Sequence, residues 1–155
     1  MADKRILELL LTDISTATQL LAILEQEFIA LSERKLDTLQ ELLNKKQPAL
    51  RQLEQHSNER SQHLAQNNFS TDQAGLIQLA EGSSIGAQLI ETSAELNNLI
   101  EQCQQANLRN GRLIRSNQTS IKSALNIIRG SDSPSLYDKT GSASSSVKQR
   151  PFSQA

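Results

Sequence analysis

The sequence predicts an all-α fold, a bundle of three long antiparallel coiled-coil-like helices with a short connector helix and a disordered C-terminal tail. Apolar residues return at alternating steps of three and four over three separate stretches, which is the spacing of one face of a helix. Only 3% of the 155 residues are aromatic, so the core must be built from Leu, Ile and Ala, as in long helical bundles and unlike β-sandwiches. A chain of this length buries one core, which predicts a single domain over residues 1–129 and a tail over 130–155.

The first helix shows the clearest rhythm. Leu7, Leu10, Ile14, Ala17, Leu21, Leu24, Phe28 and Leu31 form one seam without an intervening Gly or Pro, and about 27 residues of helix would run about 40 Å. The steps resume at Leu36, Leu39, Leu43, Leu50 and Leu53 and reach Leu64, displaced by one residue from the first seam. The displacement predicts that the chain turns back between Ser32 and Asp37, with Asp37 as N-cap and Gln40 three residues later; a skipped residue in a continuous helix is the other reading. Pro48 lies inside the second pattern, where it removes a backbone donor and crowds the carbonyl of Asn44, so a kink is expected there.

Between Gln66 and Gly86 the polar pair Asn67-Asn68, a cap candidate in Ser70 with Gln73, and Gly75, Gly82 and Gly86 mark a connector with at most a short helix. The third long helix then carries the seam Leu89, Thr92, Leu96, Leu99, Cys103, Ala106, Asn110, Leu113, Asn117, Ser120, Ala124, Ile127. At about 45 residues it would extend about 65 Å, beyond what its partners can cover. Gly130 can stop it, and the Ser-rich stretch that follows holds Leu136, Tyr137, Val147 and Phe152 as isolated anchors.

Several function classes are disfavoured. Acidic and basic residues number 15 and 12 through Ile128, then 2 and 4, with no interleaved aromatics, so nucleic acid is not an expected partner. His56 and His63 stand seven residues apart, about 10 Å along a helix, too far to share a metal; both read as surface histidines, and neither metal nor cofactor is expected. Cys103 falls on the seam and reads as core rather than nucleophile. Glu25 and Glu27, like Glu91 and Glu95, read as residues of exposed helix faces, and no enzyme is expected. A single cysteine suits a reducing compartment, while Glu8 and Asp13 interrupt any signal-like apolar run, so a soluble cytoplasmic protein without membrane insertion is expected. On the third helix Asn110 and Asn117 lie on the seam, either as buried amides that fix register or as a solvated edge. Ile114, Ile121, Leu125 and Ile128 add a second stripe, which serves either the bundle core or a helix from another protein.

Two signatures add a resemblance. Asn107-x-x-Asn110-Gly111-x-Leu113-Ile114 on the third helix and Tyr137-Asp138-x-x-Gly141 in the tail, with Asp37, Leu39, Leu42-Leu43, Lys46, Leu50, Leu53, Arg60 and Leu64 upstream, together resemble the FlgN family of flagellar export chaperones. Pro48 departs from that pattern. The resemblance implies a chaperone that binds the C-terminal helical segments of hook-filament junction proteins, prevents their premature assembly and delivers them to the type III export gate. Client binding is expected at Leu113, Ile114, Asn117, Ile121, Leu125 and Ile128. Docking on the cytoplasmic domain of the gate is implied at Tyr137, Asp138 and Gly141. The alternative is a structural coiled-coil adaptor that self-associates, for instance as a homodimer, without a client.

Overall fold

A computed structural model describes residues 2–129, with side chains to Thr119. Four helices follow one another: α1 Ala2–Glu33, α2 Leu36–Gln66, α3 Gln73–Glu81 and α4 Gly86–Arg129. Each long helix runs antiparallel to the one before it, so α1 and α4 run parallel. The Cys103 and Asn110 side chains donate to the backbone carbonyls of Ala17 and Leu24, both 86 residues earlier, which fixes that parallel register. Helix α1 is the centre of the bundle, packed along α4 and along α2, and α3 lies mainly on α4.

The expected turn between the first two helices is present, but its chemistry differs. Lys35, not Asp37, is the N-cap of α2, and it makes no side-chain cap bond. The stop comes from the end of α1. Arg34 adopts a left-handed backbone with φ of 55°, the Arg34 N–H donates to the Leu31 carbonyl, and the Lys35 N–H donates to the Ala30 carbonyl at 2.9 Å. These two bonds are a Schellman closure with Arg where Gly usually stands. Helix α2 ends the same way, through left-handed Asn68, with the Phe69 N–H reaching the Leu64 carbonyl and the Phe69 ring joining the core beside Leu64. Between these ends α2 runs unbroken through Pro48.

Asp72, not Ser70, caps α3. Its carboxylate accepts from the Gly75 N–H at 3.2 Å and from the Ser70 hydroxyl at 2.6 Å, and these bonds, the hydroxyl's first, hold it below the usual carboxylate range. The connector is so tight that two glycines are required for close approach. A Cβ on Gly75 would sit 1.7 Å from the Ser70 carbonyl oxygen, and one on Gly86 would sit 2.0 Å from that of Ala80. Gly86→Ala must therefore move backbone on α3 or α4, and is expected to cost about 2 kcal/mol in a urea denaturation.

The buried stripes correct the seams in phase. On α1 the interior line is Ile6, Leu10, Asp13, Ala17, Leu20, Leu24, Glu27, Leu31, all buried, whereas Leu7, Ile14, Leu21 and Phe28 are only half-buried. On α2 the line is Leu42, Lys46, Ala49, Leu53, His56, Arg60, Leu64, while Leu36 is 76% exposed and Leu43 41%. Both lines keep the steps of three and four, but polar residues occupy several of their positions. The apolar remainder forms two clusters, one around Ile6, Leu10, Ala17, Leu64, Leu76, Leu89 and Leu96, the other around Leu20, Leu24, Leu53, Cys103 and Ala106.

Helix α1 is, among the described residues, long and apolar enough by length and composition to cross a membrane. Its apolar side is taken up by packing against α2 and α4, and Asp13 at mid-helix is fully enclosed among them.

Candidate functional site

Two polar layers interrupt the core, and they prepare the end of the bundle where the binding residues are expected. In the lower layer Asp13 is 0% exposed, with its carboxylate shared by His56 Nδ1 at 2.6 Å and by the Arg60 guanidinium. His56 is therefore half-buried and bonded into the α1–α2 interface, where a surface histidine was expected; His63 lies 3.5 Å from Glu59. Thr16 and Gln52 hydrogen-bond one step further along, at 3.2 Å. A buried carboxylate is tolerated because its charge is matched and hydrogen-bonded on both oxygens.

The upper layer lies two heptads along α1. Glu27, expected on an exposed face, is 8% exposed. Its carboxylate accepts from the Lys46 ammonium of α2 at 3.3 Å and from the Asn110 amide of α4 at 2.9 Å. The same amide donates to the Leu24 backbone carbonyl at 2.8 Å, and Lys46 also donates to the Asn107 side-chain oxygen Oδ1 at 3.3 Å. Asn110 is thus the buried, register-fixing amide of the two readings, at 1% exposure. Beside it Arg109 lies 4.0 Å over the Phe28 ring and pairs with the exposed Glu25 at 3.3 Å. Asn107, Asn110 and Lys46, residues of the family-like pattern, are the hub that locks three helices at one level.

Just beyond this hub the partners of α4 run out. The offset of 86 residues sets Glu33, the last residue of α1, level with Thr119, and α2 starts at Leu36 on the far side of the same turn. Helix α4 continues to Arg129, about 15 Å further. Of the expected client residues, Leu113 and Asn117 are half-buried at this rim and Ile114 is 39% exposed. Ile121, Leu125 and Ile128 lie on the continuing helix, with their side chains outside the described residues. Tyr137, Asp138 and Gly141 also lie outside the described residues.

Cys103 is buried, and its thiol donates to the Ala17 carbonyl at 3.5 Å. Burial pushes the thiol up to about 11, so at pH 8 it stays protonated. A thiol reagent at pH 8 is expected to label Cys103 at the rate of bundle opening, at least about a hundred-fold slower than in urea; equal rates would show an open seam. No group of three or more His, Cys, Asp and Glu side chains that could hold a metal occurs among the described residues.

Comparison with known proteins supplies the lineage. No curated protein matches the sequence. A solved structure assigned as a flagella synthesis protein FlgN from Pseudomonas aeruginosa is 45% identical, with a TM-score of 0.67 over 78% of this chain and 93% of that one. The family model described as FlgN protein matches residues 1–145, the helical body together with the first part of the tail that carries Tyr137. With a family match over most of its length and a structural neighbour at this identity, the chain belongs to the FlgN family.

Proposed function

We propose that this protein is a cytoplasmic flagellar type III export chaperone. It holds the C-terminal helical segment of a hook-filament junction protein, prevents premature assembly and brings it to the export gate. Membership of a family tied to flagella synthesis supports the flagellar setting. The observation that carries the reading is the outrunning end of α4: a helix that leaves the bundle through a rim of half-buried Leu113 and exposed Ile114, with Ile121, Leu125 and Ile128 on the turns beyond. Such a helix offers i, i+4, i+7 anchors for a second helix, and pairing by apolar burial holds a client without requiring it to fold fully. The tail residues Tyr137, Asp138 and Gly141 are the proposed contact with the cytoplasmic domain of the gate. A tyrosine offers a large apolar face with a single hydroxyl to satisfy, which suits a weak, quickly released motif.

Calorimetric titration with the C-terminal segment of a junction protein tests this, using the full chain and a version ending at Arg129. Binding by both with a negative heat-capacity change is expected. Ile121→Ser with Leu125→Ser should weaken it at least about ten-fold with the bundle still folded, since two apolar anchors are lost. Binding only by the full chain would move the client site into the tail. Self-association without any client binding would favour the coiled-coil adaptor instead.

A further inference from the structure

The distribution of charge along α4 bears on what kind of helix its free end receives. Acidic and basic residues balance over the whole chain, but between Glu101 and Asp132 there is no carboxylate, while Arg109, Arg112, Arg115, Lys122 and Arg129 all fall there. At 100° per residue, Arg115, Lys122 and Arg129 recur at heptad spacing within an arc of about 40°, whereas Arg112 lies nearly opposite Ile114 and Ile121. That arc borders the one holding Ile114, Ile121 and Leu125. Arg112 and Arg115 are exposed. The α1 carboxylates at this end of the bundle are engaged, Glu25 with Arg109, Glu27 with Lys46 and Asn110, Glu33 with Lys35, while Asp37 and Glu41 are exposed on the first turns of α2.

Compensation of the helix dipole does not account for the run. That effect is confined to the last turn, which holds Arg129, whereas Arg112, Arg115 and Lys122 lie about two to five turns earlier. We infer that the segment docked on the end of α4 is an amphipathic helix whose apolar face is flanked by Asp and Glu, positioned to meet the row that holds Lys122 and Arg129. This rests on the client reading above and adds the chemistry by which the client is selected. A helix partner is favoured over a lipid surface because the apolar arc prolongs the bundle seam, is broken by Asn117 and Ser120, and has no aromatic residue to seat at a membrane interface. Charges flanking an apolar seam set partner choice and encounter rate more than bulk affinity.

The test is a calorimetric cycle on the full chain, with Lys122→Glu and Arg129→Glu combined, against the C-terminal segment of a junction protein and a copy of it with Asp and Glu changed to Asn and Gln. At low salt the reversal is expected to weaken binding of the native segment about ten-fold and to change binding of the amide copy less than two-fold; 0.5 M salt should remove most of the difference. An unchanged far-UV spectrum and melting point show that both proteins are folded. Equal weakening of both segments, or none of either, overturns the acidic-helix inference and leaves the client reading in place. A wild-type chain that binds neither segment overturns both. Binding to phosphatidylglycerol vesicles that the reversal abolishes, with the native segment unaffected, would assign the basic face to lipid and overturn the inference.

Discussion

Asp13→Ala is expected to destabilise the bundle by about 3 to 5 kcal/mol, because it leaves the Arg60 guanidinium and the His56 ring without the carboxylate both are bonded to. The two side chains are only about one-fifth exposed, so water cannot take over the missing bonds without opening the α1–α2 interface. Against a typical domain stability of about 5 to 15 kcal/mol, that loss puts the variant near its folding threshold. The companion experiment replaces the whole layer, Asp13→Leu, His56→Leu and Arg60→Met together. Apolar replacement of a complete buried ion cluster is often neutral, so the triple variant should regain most of the stability. A single variant that melts within about 1 kcal/mol of wild type, measured by urea unfolding, would mean that the layer is hydrated and structurally idle.

The same layer explains what could and could not be read from the sequence. Three long helices and a short connector were legible because steps of three and four survive in any order of Leu, Ile and Ala. The phase of the seam was not, because Asp13 and Glu27 occupy buried positions on the α1 line while their partners stand 43 to 47 and 19 residues further on, in another helix. Seen alone, each looks like a residue of a solvated face. A signal was present: Asp13 and Glu27 fall in step with Leu10, Ala17, Leu24 and Leu31, and Lys46, His56 and Arg60 fall in step with Leu42, Leu53 and Leu64. Acidic residues on one line and basic ones on its antiparallel neighbour are what a matched interior would leave in the sequence. The turn at Arg34 is marked in the sequence by a slip of register but not by its cap, since its closure uses main-chain bonds and a left-handed arginine that no composition rule marks.

For the candidate site, the end of α4 was legible in length, since no two-helix partner of about 30 residues can cover 44. The role of Asn107, Asn110 and Lys46 was not. They entered as a pattern and prove to be the level at which three helices are pinned, through the unsuspected Glu27.

Glu27→Ala is accordingly expected to cost about 3 kcal/mol, the penalty for removing one member of a buried pair whose other member, Lys46, is 10% exposed. A double-mutant cycle with Lys46→Ala should return a coupling of about 1 to 3 kcal/mol; additive effects would show that the two side chains stabilise the bundle separately. The loss should also be local in its consequences. Beyond the layer toward the α1–α2 turn, Ala30, Leu31 and Leu42 are the buried apolar residues among the described ones. Amide exchange in Glu27→Ala should therefore accelerate first around Leu24–Leu31 and Leu42–Leu50, while Ile6–Ala17 keeps its protection from the larger apolar cluster. If the end of α4 receives a client, this variant should also bind it more weakly, although Glu27 lies outside the expected contact residues, because Asn110 would no longer hold the rim of the site against α1. Unchanged affinity beside a large loss of stability would show that α4 presents its end independently of the hub.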